Sequence, residues 1–216
     1  TTNASNTFTS SASGGVVNAT TLQSALSTND VTVSTTGAGT DAGNITLSNS
    51  LTWSSNKTLT LSAQGVVTGS GGVAMTGGGA LVIQQEGNST SSSNPYSGII
   101  SGTGSFTKDG AGNLYFSGTS TNSTTVNSYT GNTTIRAGKL ILGTVTPWGA
   151  GGTVTVANGA TLDLNGKAVT STNALVLNGS FTQYVGALSN SGASIGSYAG
   201  PITLGSASTI GGSNVI

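Results

Sequence analysis

The amino-acid sequence predicts an all-β fold, a parallel β-helix or β-solenoid, and three observations carry that prediction. A short strand core of the form apolar-x-apolar recurs along the chain, with eight clear instances, most of them followed at once by Gly, Asn or Ser. Gly, Ser, Thr and Asn dominate the composition, yet only 5% of residues are charged and the formal net charge is zero. No segment sustains a long helical period. Disorder goes with high net charge and few β-branched residues. Here charge is scarce and Val, Ile and Thr are plentiful, so the chain reads as short strands joined by tight turns.

The strand cores come in order as Ile45-Thr46-Leu47, Leu59-Thr60-Leu61, Leu81-Val82-Ile83, Leu114-Tyr115-Phe116, Leu140-Ile141-Leu142, Leu162-Asp163-Leu164, Leu175-Val176-Leu177 and Ile202-Thr203-Leu204. Alternation puts the outer two residues of each triplet on one face. Turn formers bound them, as in Asn165-Gly166 and Asn178-Gly179. One or two helical turns are predicted at 21–26, where Leu22, Ala25 and Leu26 share a face. Neither end shows a clear capping helix, which fits a stretch of a longer solenoid or a self-assembling extracellular filament subunit whose end rungs stack on the next copy. Steps of 22 residues, from Leu59 to Leu81 and from Leu140 to Leu162, point to a repeating unit of a solenoid or propeller. A β-helix accounts for the turn-rich composition, and no four-strand blade with a fixed aromatic signature supports a propeller. Rungs of roughly twenty residues, about 4.8 Å apart, would give about ten rungs and a rod on the order of 50 Å. The expected organisation is a single unit over 1–216, with polar loops budding near 87–94 and 119–128.

Composition also narrows function. Ten charged residues, five of each sign, form no basic patch for nucleic acid. No apolar run is long enough to span a membrane, so direct membrane insertion is not expected. The chain has no His and no Cys. The usual nucleophile–base triads are therefore absent, and no His/Cys cluster offers zinc ligands. A β-helical lyase or hydrolase would need converging carboxylates. Asp30, Asp41, Glu86, Asp109 and Asp163 lie far apart in sequence, most of them beside turns. They read as turn-stabilising residues. The segment 37–41 (GAGTD) has half the pattern of a Gly-rich calcium repeat but stands alone. No catalytic residue, cofactor or metal site is predicted. Trp53, Phe106, Phe116, Trp148 and Phe181 are expected in the core or at its ends, whereas Tyr115, between two inward residues, should point out.

Two segments, 104–118 (GSFTKDGAGNLYFSG) and 129–143 (YTGNTTIRAGKLILG), resemble the autotransporter-associated β-strand repeat of bacterial exoproteins. Lys108, Gly110, Gly112, Ser117, Gly118, Tyr129, Gly131, Ala137 and Gly138 match its pattern, and 152–166 continues it. The insert at 119–128 departs from it. Residues 22–63 look like coils of filamentous-haemagglutinin-type proteins, and 198–211 like coils of giant bacterial surface proteins. The resemblance implies a right-handed parallel β-helix, export across the outer membrane, an extracellular location on the bacterial surface, and adhesion or surface architecture. The lack of Cys agrees with such export. The chain begins Thr1-Thr2-Asn3 and is expected to be a mature product or a stretch of a longer protein. The partners implied are a cell-surface receptor or polysaccharide, or another rod.

Were all eight triplets aligned on one face, their middle residues would form an outward strip: Thr46, Thr60, Val82, Tyr115, Ile141, Asp163, Val176 and Thr203. Val82, Tyr115, Ile141 and Val176 are apolar where a solvated face would carry polar groups. They are the candidate contact residues, although β-propensity alone also favours these types.

Overall fold

The computed structural model describes residues 2–4, 6–10, 13–35, 41–91, 93–117, 126–179 and 186–216. The chain winds as a β-solenoid of about seven turns with one short helix among the described residues. Short strands form wherever an apolar-x-apolar core lies between turn formers, because such a strand can bury one face and hydrate the other. Stacking them in parallel gives every rung the same inward and outward positions.

The longest sheet has ten strands, in the order Thr2–Ala4, Thr7–Thr9, Val31–Ser34, Thr58–Ala63, Ala80–Gln85, Ser105–Asp109, Thr133–Ile135, Val154–Val156, Leu175–Leu177 and Ile202–Leu204. All neighbours are parallel except the first pair. A second face carries a four-stranded sheet, Asn113–Phe116, Lys139–Leu142, Thr161–Asp163 and Leu188–Ser189. A third carries Leu51–Trp53, Val73–Met75 and Ile100–Gly102. Aligned partners in the long sheet range from Thr134 and Thr155 to Thr32 and Thr60, or 21 to 28 residues per turn. The expectation of ten rungs therefore falls to about seven turns, and at about 4.8 Å each the rod is roughly 35 Å long. Corners consume the extra residues.

Inside, two columns run the length of the long sheet. One contains Leu59, Leu81, Phe106, Thr133, Val154 and Leu175; the other Leu61, Ile83, Lys108, Ile135, Val156 and Leu177. All twelve are buried. Across from them, Leu114, Leu140, Leu162 and Leu188 stack in the four-stranded sheet. Phe106 and Phe116 stack with centroids 5.0 Å apart, flanked by Tyr96 and Tyr129. Trp53 and Trp148 are buried as expected, and Phe181 lies outside the described residues.

A capping helix is present, contrary to the expectation from sequence. It spans Ala19–Leu26, and the Asn18 side chain accepts a hydrogen bond from Thr20 N at 2.8 Å as its N-cap. Leu22 and Leu26, one turn apart, face the core. The helix packs beside Leu51–Trp53, where Gln23 Oε1 accepts from Thr52 N at 2.9 Å and so satisfies an edge amide. The apolar spacing at 22, 25 and 26 gave the helix, but not its place at the end of a sheet.

The two polar inserts are only partly buds. Gly87 N donates to Gly65 O, and the buried Ser89 hydroxyl accepts from Tyr115 N at 2.7 Å, so 87–89 belongs to a rung. Only the tip beyond it stands off. Residues 119–125 lie outside the described residues. Asn127, at the far end of that insert, is buried and clamps Ile100 N and Pro147 O.

Candidate functional site

The eight triplets do not align on one face, because the turns between them differ in length. Val82 and Val176 stand on the outer face of the long sheet with Thr60 and Thr203. Tyr115 and Ile141 are direct partners on the four-stranded sheet, and Thr46 is in a separate two-stranded pair. The single strip thus divides into two surfaces. Val82, Tyr115, Ile141 and Val176 are each half-buried. The Tyr115 ring lies across the turn at Gly143, where a Cβ would come within 2.8 Å of it.

Asp163 corrects the strip outright, being fully buried. Its Oδ1 accepts from Asn165 N at 3.0 Å and Ser191 N at 2.9 Å, and its Oδ2 lies 3.3 Å from Lys139 Nζ. It is a turn residue that ties its own turn to the next.

The register reveals a longer surface than the triplets show. Along the centre of the outer face of the long sheet run Thr7, Thr32, Thr60, Val82, Thr107, Thr134, Thr155, Val176 and Thr203. Every rung presents a β-branched, uncharged side chain of nearly one size. Thr107 and Thr134 escape a search for apolar-x-apolar triplets because their neighbours Lys108 and Thr133 are polar although they face inward. Thr155 stands in such a triplet, Val154-Thr155-Val156. The row to one side is mixed, with Ser62, Gln84, Asp109 and Arg136.

The remaining acids are consumed by backbone. Asp30 accepts from Thr58 N at 2.8 Å, Glu86 from Ala111 N at 3.1 Å and Asp109 from Gly110 N at 2.9 Å. Asp109 also pairs with the exposed Arg136 at 3.1 Å. Asp41 is exposed, and residues 37–40 of the calcium-like segment lie outside the described residues. Among the described residues no three His, Cys, Asp or Glu come together as metal ligands, and no helix is long and apolar enough to cross a membrane.

Lys108 is the exception among the charged groups, because it faces the core. Its ammonium donates to the carbonyls of Asp109, Gly110 and Ala137 at 2.7, 2.8 and 3.1 Å. Three donors meet three acceptors on two successive turns. Burial lowers its pKa from 10.5 to about 8, against the opposing pull of Asp109 and Glu86. Gly110 closes this turn at φ +77, where a Cβ would lie 2.4 Å from Gln85 O.

Two hollows complete the surface. A groove of about 380 Å³ runs between Trp148–Thr153 and Thr170–Ala174, and it holds no titratable side chain. A cavity of about 700 Å³ near the helix is lined by Phe8, Leu22, Leu47, Leu51 and Leu61, with Asp41 its one acid. Neither brings two carboxylates together. Compared with protein-family models, curated proteins and solved structures, the chain matches none.

Proposed function

We propose that this chain is a structural and adhesive rod module of a secreted bacterial surface protein, attaching the cell to a surface receptor, a polysaccharide or a second rod. The carrying observation is the uniform, uncharged outer row from Thr7 to Thr203, continuous over nine strands of one sheet. A stiff β-ladder holds such a row in register without any moving part, which suits repeated weak contacts along a surface. The repeat resemblance at 104–143 adds the secreted, bacterial setting. The acids support a non-catalytic role, since the described ones other than Asp41 each accept backbone hydrogen bonds instead of facing one another across a groove.

The test uses beads coated with the chain, retained on polysaccharide-coated plates and on cultured cells. Thr107→Lys with Thr134→Lys alters the long sheet. Tyr115→Asp with Ile141→Asp alters the four-stranded one. Several-fold loss of retention from one pair, with the circular-dichroism spectrum unchanged, is the expected result. Wild-type beads that are retained on neither surface, or retention that survives both pairs, would sink the adhesive reading.

A further inference from the structure

Three Asn-Gly pairs occur in the chain, at 158–159, 165–166 and 178–179. Such a pair carries its own electrophile and nucleophile. The Gly nitrogen can attack the side-chain carbonyl of the preceding Asn, because Gly has no Cβ to shield it. The sequence offers this chemistry at all three pairs, and the fold treats them differently.

Two of the pairs are tied down. Asn165 Nδ2 donates to Leu142 O at 2.9 Å, and Gly166 N donates to Asn190 Oδ1 at 2.6 Å. Asn178 Nδ2 donates to Val156 O at 3.1 Å, and Gly179 N donates to Ser206 Oγ at 2.8 Å. In each, the amide that would leave is held by the turn before, and the nitrogen that would attack is held by the turn after.

Asn158-Gly159 is held by neither. Both residues are exposed. Ala160 N donates to Ala157 O at 3.0 Å. Gly159 has φ +83, whereas Asn158 is not at positive φ, the pattern of a type II turn. The bond that closes such a turn leaves its central peptide free. Among the described residues, Asn158 Nδ2 and Gly159 N donate to nothing. A Cβ on Gly159 would meet nothing within 4 Å, so the turn has room to move.

We propose that Asn158 is a self-modification site, where the folded chain converts a neutral amide into a carboxylate. Hydroxide removes the proton of Gly159 N. That nitrogen attacks Asn158 Cγ, a C–N bond forms, the Cγ–Nδ2 bond breaks, and ammonia leaves with a proton taken from water. Water then opens the cyclic imide at either carbonyl, giving aspartate or isoaspartate. The second product also adds a methylene to the main chain. Either one puts a negative charge at position 158, whose side-chain oxygen lies where a Cβ on Gly179 of the next turn would stand. The chain carries five residues of each sign, so a single conversion leaves it net negative. This chemistry does not depend on the adhesive role.

The experiment incubates the 216-residue chain at pH 8, once in native buffer and once in concentrated urea. Peptides that span each Asn-Gly pair are then followed by mass spectrometry. In native buffer the 158–159 peptide should lose one ammonia and then gain one water, roughly tenfold faster than the other two, which must first open locally. In urea the three rates should draw together. Asn158→Gln should abolish the early acidic shift in isoelectric focusing and leave the melting midpoint unchanged. No conversion of Asn158 in native buffer overturns the proposal. So does conversion of Asn165 or Asn178 at an equal or faster native rate, or a native ranking that persists undiminished in urea.

Discussion

At the residue scale, the inward columns decide stability, and they make two measurable claims. Leu140 and Leu162 are partners on adjacent turns and fully buried. Either one changed to Ala should cost about 2–5 kcal/mol in denaturant unfolding, and an unchanged midpoint for both would invert the faces assigned here. Lys108 makes the second claim through pH. Its folded pKa, about 8, lies below the unfolded value of 10.5. Between those values the unfolded chain holds a proton that the folded chain lacks, so stability rises with pH across that window. Above pH 10 the sign reverses. Burial holds Tyr96, Tyr129 and Tyr198 above their ordinary value of 10.0, so the unfolded chain releases protons that the folded chain keeps. A thermal midpoint followed from pH 7 to 11 should climb and then fall. Lys108→Met should remove the climb and leave the fall.

At the element scale, the strands were legible in the sequence and their partners were not. Leu114-Tyr115-Phe116 and Leu175-Val176-Leu177 read alike, yet they join different sheets. Period-two alternation fixes which side chains face in, while the face a strand joins depends on how many residues each corner uses. Corners are closed by side-chain contacts that no local pattern encodes. Gln85 is one case: it accepts from Val67 N and donates to Gly87 O and Asn113 O, at distances of 3.1, 3.0 and 2.7 Å. Asn165-Gly166 is a corner that could be read directly, with both residues at positive φ, 50° and 71°. The outer threonine row was hidden for the same reason as the corners, since it exists only once register is known. The insert at 87–94 yields a prediction that separates rung from tip. Ser89→Ala strips the acceptor from Tyr115 N and should cost about 1–3 kcal/mol. Shortening the tip between Thr90 and Ser93 should leave the melting midpoint nearly unchanged. Equal effects from the two changes would show that the tip is part of the rung.

At the scale of the whole molecule, each turn touches only its neighbours, so stability accumulates along one axis. Far-ultraviolet circular dichroism should show a single β-type minimum, because the helix contributes only eight residues. A helical double minimum would contradict the solenoid.

The helix cap gives the rod a direction that optical measurement can follow. Trp53 packs in the sheet beside that cap, and Trp148 sits further along, 6.2 Å from Tyr198. The chain has just these two tryptophans. If the helix anchors the turns beside it more firmly than those further along, denaturant will remove turns in order. Emission from Trp148 should then shift at lower denaturant than emission from Trp53, read separately in Trp53→Phe and Trp148→Phe variants. Coincident transitions would mean that the seven turns melt as one block.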